Sequence, residues 1–414
     1  MTAYTAPFFD GQRPLGFKPH WRYIDKGWTR DLRIDFMRGF VFLMLFTAHF
    51  PFFSWFALIG WERLGVVSSA EVFILLAGVV TGAVYGKKLA SEGLGPCTIK
   101  LLSRAWTLYK VAALVAVSVA LLRLVPGLDT SVLTSFTDPV TGTAYPLYPP
   151  KEAGLLSAVL HALVLASAPH QFQVVGLYVV LFLFTPLLFW AISRGKTSTL
   201  LTLSWALYLV NYFALERIPG TATLRLTVAQ FEQAFPVLAW QVLFVHGVAL
   251  GYHRHSVLEF FGTAVGRALI ICSIAATTML LWFSLNHPLD QLPDWARLTV
   301  IPSEQFHNVY QSYFLKYKLG PGRLLNIAVL FVTAFVVLTV FWRPLYRSMG
   351  WLFIPLGQES MYVFFVHVYM ILLVTNTGLA TSGGPWLHTA VLATALLLSW
   401  WLVKVRFLFR WLPH

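Results

Sequence analysis

Hydrophobic residues along the chain fall into ten runs of about 20 residues, separated by polar segments. About 20 apolar residues in a helix cross the roughly 30 Å hydrocarbon core of a bilayer, so each run predicts a transmembrane helix. The pattern predicts an all-α polytopic membrane protein with about ten transmembrane helices, in a single domain that covers residues 1–414. The runs are 37–58, 68–85, 103–125, 174–193, 198–216, 235–252, 266–285, 324–342, 354–375 and 386–405.

Lys and Arg residues divide unequally between the two sides that ten alternating spans define. With both termini on the cytoplasmic side, 20 of the 30 lie in cytoplasmic segments and 8 in the opposite loops, while Lys110 and Arg123 fall inside the third run. Cytoplasmic segments of membrane proteins retain Lys and Arg preferentially. The distribution therefore predicts cytoplasmic termini, and it explains the net charge of +13 without a nucleic-acid partner.

The composition agrees with a membrane protein and excludes several other classes. Hydrophobic residues make up 57% of the chain and charged residues 11%, less than half of the roughly 25% that is typical of soluble proteins. Cys97 and Cys272 are the two cysteines, too few for a disulfide framework or a thiolate metal site. Charges scattered through the first 30 residues interrupt any apolar core, so no cleavable signal peptide is predicted.

Three polar segments lie outside the predicted spans. Residues 1–36 form a cytoplasmic N-terminal segment, and residues 126–173 and 286–323 form long periplasmic loops. The first loop contains an apolar stretch at 154–168 that is too short to span a membrane. The polar and aromatic composition of both loops suits contact with a carbohydrate. The alternative is that the loops only cap the helical bundle.

Ionisable residues inside the predicted spans are rare, and the first two spans hold the most informative ones. A titratable group in hydrocarbon costs at least about 2.5–3.5 kcal/mol, so each requires a reason. Arg38 and His49 are eleven residues apart, which is three helical turns, so their side chains share one face. His49 is expected near mid-membrane, and Glu71 on the antiparallel second span is expected to pair with it. A carboxylate beside an imidazole is typical of a general base; the alternative is a His satisfied by a helix neighbour.

Other polar residues are weaker candidates for the same site. Lys110 and Arg123 are placed in the membrane, and either could hold an acidic group of a substrate. Ser360 and Tyr362 enter the ninth span from the cytoplasmic side, and His367 lies near mid-depth, where it positions a ligand or simply bonds another helix. No phosphate-binding loop, nucleophile elbow or metal-binding spacing is present, so transfer is expected to go directly to an acceptor hydroxyl.

Three segments, in order, resemble the acyltransferase-3 family of integral membrane acyltransferases. The first is Asp35-Phe-Met-Arg38-Gly39 followed by His49; the second is Glu71-Val-Phe-Ile-Leu-Leu-Ala-Gly78; the third is Gly357-Gln-Glu-Ser-Met-Tyr-Val-Phe-Phe-Val-His367. Within that family, Arg30 to Gly39 and Trp240 to Gly247 look most like the branch that succinylates osmoregulated periplasmic glucans. Three positions depart from the family pattern: Ile74 replaces a Phe, Ala77 a Ser and Phe364 a Tyr.

The resemblance implies transfer of a succinyl group from cytosolic succinyl-CoA to glucose hydroxyls of a periplasmic glucan, at the bacterial cytoplasmic (inner) membrane. It implies that His49 is the catalytic base and that Glu71 is the family's acidic residue. We expect the CoA phosphates to contact Arg38, with Arg33 and Arg104 as weaker candidates, and the succinyl carboxylate to contact Lys110 or Arg123. Succinyl-CoA is then a co-substrate, and no tightly bound cofactor or metal is expected. The candidate substrate-binding residues are Ser360, Tyr362 and His367.

Two other functions stay open from the sequence. A transporter or flippase would use the same buried charges as a relay, although no matching halves are evident. An O-acetyltransferase that acts on another surface glycan would share the same motifs. The lipid bilayer, succinyl-CoA and a periplasmic glucan are the expected partners, and the oligomeric state is not predicted.

Overall fold

The computed structural model describes residues 21–24, 30–137, 144–217, 225–289 and 292–410, and these residues are predominantly helical. The exception is a short antiparallel pair of β1 (Ser135–Thr137) and β2 (Ala144–Pro146) in the first long loop. The helices are α1 (Leu32–His49), α2 (Ser69–Glu92), α3 (Leu94–Leu122), α4 (Ser131–Thr134), α5 (Gly154–Leu163), α6 (Gln173–Ser193), α7 (Thr197–Arg217), α8 (Phe231–Ala234), α9 (Val237–Tyr252), α10 (Arg254–Gly262), α11 (Ala264–Ser284), α12 (Ser303–Tyr313), α13 (Pro321–Val340), α14 (Trp342–Leu345), α15 (Trp351–Gln358), α16 (Ser360–Asn376) and α17 (Pro385–Lys404).

Several of these helices are long and apolar enough to cross a membrane. Among the described residues six meet this requirement, namely α2, α3, α6 (counted from His170), α11, α13 and α17. The bent pair formed by residues 342–358 and α16 makes a seventh if it is counted as one span. The chain is therefore a helical membrane protein. Each of the ten predicted runs overlaps at least one helix, but ten spans and cytoplasmic termini remain predictions.

The first predicted run does not form one continuous helix. α1 ends at His49, and Phe50 is extended because it precedes Pro51, whose ring disfavours helical geometry in the residue before it. The chain then continues into a short 3-10 helix at Trp55–Ile59. His49 thus occupies the last turn of α1 instead of the middle of a continuous helix, and its depth in the membrane stays a prediction.

The ninth predicted run is broken as well. Its two parts meet at Glu359 with a bend of 92°. Ser360 therefore begins α16 next to the N-terminal half of α1, instead of lying inside a straight span. A broken helix leaves backbone and side-chain polar groups free to line a cavity.

The two long loops fold into short elements. The loop at 126–173 contains α4, the two strands and the ten-residue helix α5, which is too short to span, as predicted. The loop at 286–323 contains a 3-10 turn and α12. Residues 138–143 and 290–291 of these loops, and residues 1–20 and 25–29 of the N-terminal segment, lie outside the described residues.

Glycines bring α2 and α9 into direct backbone contact. A Cβ atom on Gly78 would lie 2.4 Å from the carbonyl oxygen of Phe244, and one on Gly247 would lie 2.5 Å from that of Leu75. The pattern repeats one turn on, since Gly82 and Gly251 face each other's helix in the same way. Small residues four apart allow such close approach, as is common between membrane helices.

α1 and α15 cross in the same manner at Gly39 and Gly357, which belong to the first and third motifs. A Cβ on Gly39 would lie 1.8 Å from the carbonyl oxygen of Phe353, and one on Gly357 would lie 1.8 Å from that of Asp35. Neither position can accept a side chain without moving a helix backbone. This crossing holds the start of α16, with Ser360, against Arg38.

Candidate functional site

His49 and His367 form a stacked pair. The Nδ1 atom of His49 lies 3.2 Å from the Nε2 atom of His367, and the two rings are 5.4 Å apart and tilted by 22°. His367 is fully buried, whereas His49 is partly exposed. The partner of His49 is thus a second histidine on α16, 318 residues away in sequence.

Hydrogen bonding assigns the tautomers of this pair. The Nδ1 atom of His367 lies 2.6 Å from the carbonyl oxygen of Phe364, an acceptor, so Nδ1 carries the hydrogen and Nε2 is left as an acceptor. The Nδ1–H of His49 then donates to that Nε2 atom. The Nε2 atom of His49 consequently has a free lone pair, and it has no hydrogen-bond partner in the described part of the chain. It can take a proton from a substrate.

His170 completes a cluster of three histidines. Its ring packs edge-on against His49 at 5.7 Å and against Phe136 at 5.4 Å. Its Nδ1 atom is buried without a hydrogen-bond partner among the described residues. Within the ranges that the structure describes, no group of three or more His, Cys, Asp or Glu side chains is arranged to hold a metal ion.

Glu71 does not pair with His49 in this structure, so the predicted contact is wrong. One carboxylate oxygen of Glu71 accepts hydrogen bonds from the backbone N–H, at 3.0 Å, and the hydroxyl of Ser68, which forms a capping box at the start of α2. The other oxygen lies 2.6 Å from a guanidinium nitrogen of Arg323 on α13. Both oxygens are engaged, so Glu71 is available neither to orient His49 nor to stabilise its charged form.

Arg323 lies at the centre of a buried polar network. It is fully buried and pairs with Glu62 as well as Glu71, and it donates to the carbonyl oxygen of Phe314. Tyr310 lies 3.0 Å from Arg323 and donates to Glu62 at 3.1 Å. Arg323 offsets one of the two negative charges, and the Nε2 atom of His287 lies 3.1 Å from the second carboxylate oxygen of Glu62. We call this region, Glu62, Glu71, Tyr310 and Arg323, the Arg323 cluster.

A cavity of about 1270 Å³ opens at the opposite end of α1 and α2. Its apolar walls come from α2, α6, α9 and α13, and charged side chains surround one end. The cationic residues that line it are Arg30, Arg33, Arg38, Lys87, Lys88, Arg104 and Arg254, against the two carboxylates Asp31 and Asp35. The volume exceeds the roughly 300–1,000 Å³ of common small-molecule sites. We call this charged end the Arg38 mouth.

Two of the seven cations are already neutralised. Arg30 forms a bidentate pair with Asp35, at 2.7 and 2.8 Å. Arg33 pairs with Asp31 at 2.6 Å and donates to the Thr339 hydroxyl at 2.8 Å, and its guanidinium lies over two aromatic rings. The predicted role of Arg33 in binding CoA is disfavoured, because its hydrogen bonds hold α1 to α13.

Five cations at the Arg38 mouth form no ion pair with a carboxylate in the described ranges. Arg38 donates to the hydroxyl of Ser360, and Arg104 on α3 lies within electrostatic range of it. The other three are Lys87, Lys88 and Arg254. The structure thus brings together Arg38, Arg104 and Ser360, which were predicted site residues. It adds Lys87, Lys88 and Arg254, which the sequence indicated only as markers of the cytoplasmic side.

Three phenylalanines separate the cavity from the histidine pair. Phe73 and Phe364 line the inner end of the cavity, and their ring centroids are 4.9 Å apart. Phe42 packs on both, at 5.0 and 5.3 Å. On its other side Phe364 contacts the His367 ring edge-on at 5.6 Å. The cavity therefore ends one aromatic layer short of His49.

Three predicted site residues lie away from both the histidine pair and the cavity. Lys110 is exposed on the outer face of α3. Arg123 caps α3, donates to the Pro149 carbonyl oxygen at 2.9 Å and so fastens the first long loop. Tyr362 is buried against Phe409 at 4.8 Å, with its hydroxyl unpartnered among the described residues. None of the three lines the cavity.

A family comparison agrees with the motifs. A family model described as OpgC protein matches residues 30–411, nearly the whole chain. The chain belongs to the OpgC protein family. Membership in the OpgC family indicates a membrane transferase that acts on glucans. No curated protein and no solved structure matches the chain. The resemblance to acyltransferase-3 proteins is a separate observation, which this match does not test.

The OpgC-family chain also carries an aromatic surface beyond His49. Trp55 lies 5.5 Å from Trp386 and 6.0 Å from Trp295, and the latter two side chains are 77% and 69% exposed. The indole nitrogen of Trp55 and the Nε2 atom of His388 are buried without partners in the described ranges. We call Trp55, Trp295, Trp386 and His388 the tryptophan platform. Exposed aromatic faces beside unused polar groups are suited to sugar rings.

Proposed function

We propose that this chain transfers a succinyl group from succinyl-CoA to a hydroxyl group of a glucan, with His49 as the general base. The observation that carries the proposal is the Nε2 atom of His49. It is left free by an ordered pair of histidines, and it lies between a cation-lined cavity and an aromatic outer surface. Family membership supports the glucan as acceptor class.

The Arg38 mouth supports the assignment of a CoA thioester as donor. CoA carries several phosphate groups at one end and a flexible pantetheine arm at the other. Unpaired Arg and Lys side chains bind phosphate through charge-assisted hydrogen bonds. The cavity has an apolar interior for the arm, and it leads towards the histidine pair. In this proposal the mouth faces the cytosol, with both termini on the same side, in the cytoplasmic membrane of a bacterium.

The reaction follows from the tautomers. His49 Nε2 takes the proton of the glucan hydroxyl as its oxygen attacks the thioester carbonyl carbon. The carbon–sulfur bond breaks, and the thiolate receives the proton from His49, so that CoA and the succinyl ester leave. During the transfer the Nδ1–H of His49 continues to donate to His367, which stabilises the imidazolium. A positioned base of this kind contributes about 10²- to 10⁴-fold to the rate.

The layer of Phe42, Phe73 and Phe364 lies between the cavity and His49, so the proposed reaction requires a side-chain movement there. The thioester reaches His49 only when the ring of Phe73 or Phe364 leaves its present position. For the acceptor we propose direct access, because the side chain of His49 is partly exposed. In the proposed complex the glucan lies on the tryptophan platform, with sugar rings stacked on Trp295 and Trp386. No tightly bound cofactor is required, and the oligomeric state stays open.

The test uses the protein in lipid vesicles, with labelled succinyl-CoA at the Arg38 side and glucan at the other. We expect labelled glucan from the unmodified chain and a loss of about 10²- to 10⁴-fold in the His49→Gln variant. His161→Gln is the matched control, since His161 is exposed on α5 and its ring bonds only its own helix. Near-normal transfer by folded His49→Gln would refute the mechanism. Label that crosses the membrane without modifying glucan would instead indicate a transporter.

A further inference from the structure

His170 lies beside the proposed base and has no role in the reaction described above. Its ring meets the His49 ring edge-on, with the ring centroids 5.7 Å apart and an interplanar angle of 86°. The Nδ1 atom of His170 is buried without a hydrogen-bond partner, whereas its Nε2 atom stays accessible and also has no partner among the described residues. A polar ring held in this position without a partner requires a reason.

The surroundings of His170 favour the tautomer that carries its hydrogen on Nε2. A hydrogen on Nδ1 would be a buried donor without an acceptor, and such orphaned N–H groups are rarer in proteins than orphaned acceptors. A hydrogen on Nε2 lies at the accessible nitrogen, where water or a substrate can accept it. His170 therefore offers a neutral N–H donor next to His49.

Two hydrogen bonds fix the turn that carries His170. The side-chain amide of Gln171 donates to the carbonyl oxygen of Val132 at 2.8 Å. The backbone N–H of Ala168 donates to the side-chain oxygen of Gln230 at 2.7 Å. The imidazole is thus held in place before a substrate binds, which is the condition for a donor that stabilises a developing charge.

We propose that the Nε2–H of His170 donates to the carbonyl oxygen of the donor thioester and stabilises the negative charge that develops there during acyl transfer. The proposal rests on the function proposed above. Attack on the thioester carbon turns its carbonyl oxygen into an oxyanion, which is stabilised until the carbon–sulfur bond breaks. His170 keeps its hydrogen throughout, so the proton still moves from the hydroxyl group through His49 to the sulfur.

The contact between the two rings fits the size of the reacting group. A base lies about 2.6–3.2 Å from the hydroxyl oxygen, and an oxyanion donor lies about 2.7–3.1 Å from the carbonyl oxygen. Both oxygens are attached to the same carbon in the intermediate, so the base and the donor have to be neighbours. The rings of His49 and His170 are in direct contact and meet this condition.

The second ring in contact with His49 cannot supply the same hydrogen bond. His367 uses its Nδ1–H for the carbonyl oxygen of Phe364 at 2.6 Å, and its Nε2 atom accepts from His49 at 3.2 Å. Of these two neighbours in the described part of the chain, only His170 has an unused nitrogen. The three histidines therefore have separate tasks: His49 moves the proton, His367 orients His49, and His170 stabilises the oxyanion.

The test measures kcat and KM in the vesicle assay for the full chain and for the His170→Phe, His170→Gln and His161→Phe variants. Phe retains an aromatic ring but removes the N–H, whereas Gln retains a side-chain N–H. We expect His170→Phe to lower kcat about 10²- to 10³-fold, with KM for succinyl-CoA nearly unchanged, because the lost contact strengthens only in the transition state. His170→Gln should recover part of this loss. His161→Phe, exposed on α5, should behave as the unmodified chain.

The outcomes separate this proposal from the one on which it rests. If the unmodified chain transfers no succinyl group, the proposed function is wrong. If it does, but folded His170→Phe keeps a normal kcat or loses only in KM, His170 is not the oxyanion donor and the role of His49 stands. Equal losses in His170→Phe and His170→Gln would also contradict a role for the N–H. Thermal unfolding shows that the compared variants are folded, and His170→Leu takes the place of His170→Phe if the latter is not.

Discussion

The Arg38 mouth and the Arg323 cluster treat buried charge in opposite ways. Arg323 is fully buried, and its guanidinium meets two carboxylates, a phenol and a backbone carbonyl. Arg38 donates to one neutral hydroxyl, that of Ser360, and among the residues described at the mouth the surplus of charge is positive. Arg38 belongs to the first motif, whereas Arg323 lies outside the three motif segments and is not singled out by the sequence.

This difference in hydrogen-bond and ion-pair partners indicates that the two regions have different roles. A charge whose partners are all supplied by the protein contributes to holding helices in place, because removing one partner strands the others in a dry interior. A set of like charges around a cavity repels itself, so it is best satisfied by an anionic ligand. We therefore assign the Arg323 cluster to the scaffold of the site and the Arg38 mouth to donor binding.

Arg323→Met should produce the largest loss of stability. Glu62 and Glu71 would remain as two buried carboxylates without their cation, which costs about 3–5 kcal/mol. We expect a marked fall in the thermal unfolding temperature of the purified chain and increased proteolysis. Arg38→Met is the control, since it strands no carboxylate. Equal stability of the two variants would contradict the distinction between the regions.

Arg38→Gln should act on the donor. Loss of a charge-assisted contact to phosphate costs about 1.5–3 kcal/mol, which raises KM for succinyl-CoA about 10- to 100-fold while the folded protein stays stable. Steady-state kinetics in vesicles with varied donor concentration measures this change.

Arg33→Met is the matched control for Arg38→Gln, because Arg33 belongs to the same helix but its hydrogen bonds go to Asp31 and Thr339. We expect it to lower the unfolding temperature and to leave KM for the donor nearly unchanged. A rise in KM as large as that of Arg38→Gln would show that the pairing of Arg33 does not set its role.

Tyr362→Phe should have the smallest effect. The Tyr362 hydroxyl is buried without a partner in the described ranges, so its removal relieves an unsatisfied group and leaves the ring against Phe409. We expect stability to be unchanged or slightly raised, by up to about 1 kcal/mol, with normal transfer. A large loss of activity would restore the substrate-binding role that the sequence predicts for this residue.

Much of the architecture could be read from the pattern of apolar runs, because each run of about 20 residues has few ways to satisfy its backbone in a bilayer other than as a helix. The breaks within the first and ninth predicted runs could not be predicted from hydropathy. Pro51 ends α1 early, and the bend at Glu359 interrupts a segment whose hydropathy is continuous. The sequence analysis did not predict the contact between the glycines of α2 and α9, which lie four residues apart on each helix.

The sequence by itself determined that this chain is a helical membrane protein, and it singled out Arg38, His49 and His367 as unusual polar residues. Only the tertiary structure decided how they are partnered. His49 bonds a residue 318 positions away, and Glu71 bonds one 252 positions away. Such pairs depend on which helices cross and on where along each helix they cross. Close glycine contacts between distant segments set both.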